Sequence, residues 1–272
     1  MELFIGPDDR TINHLDFARA LRKSGVVSGD TLMFHSRLFA IGKPATNNKK
    51  ALLDRLIATL MEAVGPEGTL IAPTFTFSYC KRGIFDVEKT VSETGALSEA
   101  IRFHPLAART LNPIYSVAII GKKRDYYLES SPFTCFGASS LFDRLHGDPH
   151  VKIATLGFAN PGETLSYLHY LEEKMQVPYR YIKLFKGKII AKGIEQSQET
   201  AFYVRDLAKN VRLSWENAYD ILLRDKAVRS AVVGGTFLHV VEREGMDRSI
   251  TAALAANREV LAHYTASVKI CQ

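Results

Sequence analysis

The sequence is poor in the features that most directly announce a chemistry. Its 272 residues hold three cysteines, Cys80, Cys135 and Cys271. They are far apart, odd in number and in no C-x-x-C pair, which speaks against a disulfide framework and against a zinc site. Reduced, mostly structural thiols are expected. Cys135 follows a Pro-Phe turn with nothing near it in the chain to lower a thiol pKa, so it is not a candidate nucleophile. No stretch approaches 18 consecutive apolar residues, and the opening MELFIGPDDR lacks the basic, apolar and small-residue segments of a secretory signal. The expectation is a cytoplasmic protein without a membrane partner.

Catalytic fingerprints are missing too. There is no G-x-G-x-x-G, no Walker A loop, no H-E-x-x-H and no G-x-S-x-G. Nicotinamide dehydrogenases, P-loop enzymes, zincins and α/β-hydrolases therefore lose their usual support, and no metal site is expected. Lys and Arg outnumber Asp and Glu by 35 to 29, for a net charge of +6. The positive residues form no dense run; the longest cluster, GKKRD at 121–125, reads as a solvated turn. Without an aromatic-interleaved basic strand or a helix-turn-helix pattern, nucleic acid is not an expected partner. The balance suits an anionic small molecule.

What is present is an α/β pattern. Hydrophobic residues make up 46% of the chain, enough to bury a substantial core. Apolar β-branched runs at 31–36, 68–75, 116–121, 151–158, 188–193 and 230–242 read as strands of a mixed or mostly parallel central sheet flanked by helices. Helical spacing is clearest in KALLDRLIATLMEAVGPEG, stopped by Gly65-Pro66, and further helices are expected at 12–24, 93–103, 162–175, 199–209, 214–226 and 246–262. A single domain over 1–272 is expected, with room for two subdomains around a cleft. The aromatic, polar and aperiodic stretch 75–92 reads as a loop lining that cleft.

Several strands end in small polar residues, at FHSR (34–37), PTFTF (73–77) and before Ser116. In open α/β sheets the carboxyl ends of strands form the ligand crevice, although Ser and Thr there also serve as ordinary turn caps. In GETLSYLHYLEEKMQVPYR (162–180), His169 and Glu172 lie three residues apart and share a helix face. A carboxylate so placed orients an imidazole and raises its basicity, which suits a general base; a surface ion pair is the plainer reading.

Six segments in order, GDTLMFHSRLFAIG, GPEGTLIAPTFTF, ETGALSEAIRFHP, NPIYSVAIIG, CFGASSLFDRL and YLHYLEEKMQVPYR, resemble the aminoglycoside 3-N-acetyltransferase family over about residues 15–180. The resemblance implies that family's α/β fold, an acyl-CoA cosubstrate and an amine acceptor. It implies CoA near His35, Ser36, Arg37, Thr74, Phe75, Thr76, Gly95, Ala96, Leu97, Gly137, Ser139 and Ser140, with Ser116 beside the sulfur. His169 and Glu172 fall on the family's H-x-x-E helix. One departure stands out. Where members acting on aminoglycosides usually read His-Pro-Thr-His-Ser-Val, this chain reads Asn-Pro-Ile-Tyr-Ser-Val, so Tyr115 replaces the histidine commonly taken as the base.

A phenol is a poor base at neutral pH and a good hydrogen-bond donor, which fits an oxyanion or a departing thiolate. Proton removal then falls to His169, to water, or to no residue if the amine arrives neutral; simple packing is the alternative for Tyr115. Aminoglycosides are polycations, whereas this chain is cationic. Among relatives, it looks closest to the N-acyltransferases of nucleotide-linked amino sugars, such as the one in anthrose biosynthesis. The expected acceptor is thus a nucleotide amino sugar of surface-glycan biosynthesis, for example a dTDP-4-amino-4,6-dideoxy-hexose, attacking the thioester directly. Tyr79, Lys81, Arg82, Tyr179 and Arg180 are the candidates for holding it. The rivals are an aminoglycoside acetyltransferase and a CoA- or sugar-binding relative without turnover.

Overall fold

Strands covered on both faces read as near-continuous apolar runs, and the three at the middle of the molecule do so. Thr31–Ser36 pairs in parallel with Val151–Leu156 on one side and with Thr69–Pro73 on the other. Antiparallel strands extend both sides: Val117–Gly121 and Ala108–Arg109 beyond Thr69–Pro73, Thr236–Glu242 and Val228–Val233 beyond Val151–Leu156. The result is the mixed central sheet expected, seven strands wide. The structure is a computed structural model that describes residues 1–264, so Cys271 lies outside the described residues.

Alternation along each strand sorts the side chains into two cores. Leu32, Phe34, Leu70, Ala72, Ala118, Ile120, Ala154 and Leu156 pack with residues of the helices His14–Lys23, Lys49–Val64 and Ala96–Arg102. Met33, Ile71, Val117, Ile119, Val151 and Ile153 pack with residues of Leu141–Gly147, Tyr167–Lys174, Trp215–Arg224 and Arg243–Ala256. The helix Lys49–Val64 shows the local logic. Asn48 caps it by accepting from Ala51 N at 3.0 Å, Leu52, Leu53, Leu56, Ile57, Leu60 and Val64 bury its stripe, and Gly65 at φ +69° ends it. Each such buried side chain contributes about 1.5–3 kcal/mol.

Several sequence expectations are corrected. The helix expected over 199–209 is a strand: Ile194–Arg205 pairs antiparallel with Arg180–Ala191 along its whole length, and a 3₁₀ turn at Leu207–Lys209 follows. The reversal is a two-residue turn, Lys192-Gly193, with φ of +51° and +77°, the left-handed values that suit the twist of a hairpin. Both faces of this ribbon are largely exposed, so the usual in-out alternation is absent. The strand expected over 230–242 is a hairpin turning at Gly234-Gly235. The helix expected over 162–175 breaks into a 3₁₀ turn, Pro161–Thr164, and the helix Tyr167–Lys174. The one expected over 246–262 runs from Arg243 to Ala256. The aperiodic stretch 75–92 carries a short helix, Tyr79–Arg82, and a strand, Ile84–Asp86, that joins the ribbon.

A buried arginine that the sequence reading passed over fixes the strand ends. Arg109 donates from Nε to Thr74 Oγ1 and Ser116 Oγ, both at 3.1 Å, and from Nη2 to Thr74 O at 2.7 Å. Its Nη1 reaches Val87 O at 3.2 Å and Thr90 O at 2.6 Å, and the guanidinium lies 4.7 Å over the Phe85 ring. Burial, then the charge of Arg102, pull its pKa down to about 10, and it remains a cation at neutral pH. One side chain thus satisfies acceptors from three separate stretches. Arg109→Leu leaves several of them buried and unpaired at about 1–3 kcal/mol each, so thermal denaturation should show a Tm lowered by roughly 5–10 °C. An unchanged Tm would mean that water replaces the guanidinium at no cost.

Candidate active site

At the carboxyl ends of the parallel strands, two cavities join along His35, Thr94 and Thr164. The outer lobe, about 530 Å³, is lined by His35 to Phe39, Pro73, Glu93 to Ala96, Ser98, Phe158 and Thr164. The inner lobe, about 210 Å³, is lined by His35, Phe75, Phe77, Thr94, Tyr115, Glu163 to Ser166, His169 and Trp215. Of the residues expected to hold CoA, His35, Ser36, Arg37, Gly95 and Ala96 line the outer lobe and Phe75 the inner one.

The others stand elsewhere. Thr74, Thr76 and Ser116 are fully buried, with their hydroxyls spent on scaffolding: Ser116 Oγ donates to Thr74 O at 2.7 Å and Thr76 Oγ1 to Pro113 O at 2.6 Å. Leu97 is a core residue. Gly137, Ser139 and Ser140 form the turn into the helix Leu141–Gly147, where Ser140 Oγ accepts from Asp143 N at 3.2 Å, and they line neither lobe.

Among the acceptor candidates, Lys81 and Arg82 are exposed outside both lobes, and Tyr79 is buried beside the ribbon, its hydroxyl donating to Gln198 O at 3.4 Å. Tyr179 and Arg180 lie behind His169 instead of facing a ligand. Tyr179 donates to Glu172 Oε1 at 2.8 Å, and Arg180 Nε stands 2.9 Å from Glu172 Oε2. His169 Nδ1 is 2.7 Å from that same carboxylate oxygen.

His169 Nδ1 stands between Glu172 Oε2 at 2.7 Å, which can only accept, and Arg180 Nη2 at 2.9 Å, which can only donate; the shorter contact assigns the proton of the neutral imidazole to Nδ1, and in that tautomer Nε2 keeps its lone pair. Glu172 is 1% exposed. Burial alone would raise its pKa, but Arg180, His169 and Tyr179 outweigh burial and hold it below the usual carboxylate range. His169 is shifted down by burial and then by the Arg180 charge, against the pull of Glu172. A neutral imidazole oriented by a buried carboxylate results, the form required of a general base.

Tyr115 sits at the corner that Asn112 builds, its amide donating to Asn112 Oδ1 at 2.8 Å. Its ring is packed by Phe75 at 4.6 Å, Phe136 at 4.7 Å, Phe202 at 5.4 Å and Phe77 at 5.5 Å. Burial, with the Cys135 thiol adding, pushes the phenol far above its ordinary pKa, so it stays an O–H group and is no base. Among the described residues no protein group bonds its hydroxyl, which leaves that donor for a ligand in the inner lobe. His35, at the junction of the lobes, is neutral as well: burial pulls its pKa down to about 3. Cys135 is buried, which raises its thiol well above the ordinary range. Sequence reasoning missed Trp215, Glu163, Thr94 and Phe158 in the lining; the one signal available was that Trp215 is the chain's single tryptophan.

The sequence profile described as Aminoglycoside 3-N-acetyltransferase matches residues 33–254. The chain belongs to that family. It is accordingly an acyl-CoA-dependent N-acyltransferase. Aminoglycoside N(3)-acetyltransferase VII of Streptomyces paromomycinus is 26% identical to it over 211 residues, 68% of each chain. Among solved structures, AAC-IIIb in binary complex with CoASH superposes with a TM-score of 0.75 at 20% identity, covering 90% of this chain and 96% of that one. AAC-VIa bound to sisomicin gives a TM-score of 0.75 at 22% identity, covering 90% and 97%. At such identities these structures speak for the fold.

Two outcomes follow from the site of this family member. A base that works only when neutral loses activity as pH falls through its pKa. Because the His169 pKa is depressed, the acidic limb of kcat/KM should lie below the ordinary imidazole value of about 6.5. Arg180→Gln removes the nearby cation, and the limb should then move to higher pH; a stationary limb would detach His169 from the titration. Tyr115→Phe keeps the ring packing and removes one donor, which for an oxyanion contact costs roughly 10²-fold in kcat. Acyl-CoA affinity, read by calorimetry, should barely change, and a fully active Phe variant would reduce Tyr115 to packing.

Proposed function

We propose that the protein transfers an acyl group from acyl-CoA to the amine of a nucleotide-linked amino sugar, of the dTDP-4-amino-4,6-dideoxy-hexose class used in surface glycans. The observation that carries the reading is the joined cleft. Its inner lobe presents one neutral imidazole held by a buried carboxylate and one unpartnered phenol. Acyl-CoA occupies the outer lobe, with Arg37 at its phosphates or pantetheine; AAC-IIIb, of the same fold, binds CoASH.

In the proposed reaction His169 Nε2 takes a proton as the amine nitrogen bonds to the thioester carbon. Tyr115 donates to the oxyanion that forms. The C–S bond then breaks, the sulfur leaves with the pair and is protonated, and an amide and the CoA thiol are released. No covalent acyl-enzyme is needed, since the buried Cys135 and the structurally bonded Ser116 offer no activated nucleophile. Aromatic walls at Phe75, Phe77 and Trp215 suit a sugar ring or a pyrimidine. The net charge of +6 suits a diphosphate, for which Lys81 and Arg82, exposed just after Phe77, are the residues to substitute first.

Aminoglycoside acetylation is the second reading, favoured by the two carboxylates of the lining, Glu93 and Glu163. Thiol release measured with acetyl-CoA and longer acyl-CoAs, against nucleotide amino sugars and aminoglycosides, separates the two. Release with a nucleotide amino sugar at a kcat/KM at least about tenfold above that with any aminoglycoside is expected. The reverse order would establish the second reading, and no release with any amine would leave a binding protein.

A further inference from the structure

The inner lobe contains three ionisable rings and one carboxylate. His35 and His169 are held neutral and Tyr115 stays protonated. Among the described residues Glu163 is therefore the only carboxylate, and the only side chain other than neutral ones, in that lining. Among the described residues its one ion pair is with Arg37, at 3.9 Å, between side chains 39% and 42% exposed. A pair so long and so wet contributes little and competes weakly with a ligand.

The turn that carries Glu163 is seated with care. Asn160 Oδ1 accepts from Gly162 N at 2.8 Å, and Glu163 N donates to Asn160 O at 3.2 Å. Gly162 lies so close to the start of the helix Trp215–Arg224 that a Cβ there would meet Trp215 O at 2.7 Å and Asn160 Oδ1 at 2.9 Å. Glu163 and the Trp215 ring are thereby fixed to one wall, and that ring stands 6.0 Å from His169 at a tilt of 53°. A carboxylate beside an aromatic face attracts a cation through charge and through the ring quadrupole.

Taking the inner lobe as the acceptor side, as the proposed function does, we propose that Glu163 and Trp215 form the recognition site for the acceptor's ammonium group, which Glu163 pairs with and Trp215 covers. The bound ammonium releases one proton to solvent past the 39% exposed Glu163 before reaction; the neutral amine then attacks, and His169 takes the second proton. One carboxylate in one small lobe selects a sugar with a single amine over the equivalent alcohol. A polycation finds no further anion in that lobe.

The single tryptophan makes the binding readable. The full chain is titrated, by its own fluorescence, with methyl 4-amino-4,6-dideoxy-glucoside and with the 4-hydroxy counterpart. The amine should give a saturable change at roughly tenfold or lower concentration than the alcohol, as expected for one charge-assisted bond. Glu163→Gln should erase that preference and Glu163→Asp restore part of it, with CoA binding by calorimetry unchanged in both. Trp215→Phe, read by calorimetry, should weaken the amine several-fold. Equal binding of amine and alcohol to the wild-type chain, or an amine preference that survives Glu163→Gln, overturns the assignment. Thiol release is scored separately. Amine selectivity without release counts against the proposed reaction alone, and release that Glu163→Gln leaves at the wild-type acceptor KM counts against this inference alone.

Discussion

A carboxylate that is 1% exposed sits at the centre of this structure, and Glu172 is tolerable there only because three partners surround it. An unpaired ion of that size costs several kcal/mol when buried. The partners come from different elements: His169 from one turn earlier on its helix, Tyr179 from the connecting segment, and Arg180 from the first residue of the long ribbon. Satisfying Glu172 therefore docks the ribbon against the helix and sets the imidazole at the same time. Arg180 is itself held by donating from Nη1 to Tyr203 O at 2.9 Å on the returning strand.

The same economy governs the strand corner. Arg109 takes up the hydroxyls of Thr74 and Ser116, and Asn112 takes up the amides of Ile114 and Tyr115 at 3.1 and 2.8 Å. Polar groups that look available in the sequence are consumed in holding the backbone. The reacting face is left with neutral rings, one carboxylate and the phenol. Such a face raises little electrostatic objection to an uncharged thioester, and it strengthens each remaining hydrogen bond through its low polarity.

How much of this was legible depends on whether the signal was local. The parallel strands at 31–36, 68–75 and 151–158 were legible because burial on both faces writes itself into the run of residues, and the His169/Glu172 spacing because three residues on a helix fix a shared face. The ribbon was not legible. ETAFYVRDLA has no clean period because both faces of its strand part are half-buried, with Thr200 and Tyr203 buried three residues apart and Ala201, Phe202, Val204 and Arg205 intermediate, and the Lys192-Gly193 turn was the one local cue. Tyr179 and Arg180 have the residue types of a ligand site, and only the docking of the ribbon turns them inward onto Glu172. Trp215 and Glu163 are 52 positions apart in the numbering and share a wall through the close seat of Gly162, a tertiary fact with no trace in either segment.

The exchange of histidine for tyrosine at position 115 is intelligible against this background. A second imidazole there would sit among Phe75, Phe77, Phe136 and Phe202, where burial holds a base neutral, as it does His35. It would add another lone pair beside the one His169 already supplies. A phenol in the same aromatic box presents only a donor, and burial ensures that it keeps its proton. In the proposed reaction the site divides its labour by environment: the one imidazole backed by a carboxylate accepts a proton, and the phenol faces developing negative charge. That division requires Glu172 to stay ionised, which Arg180 secures.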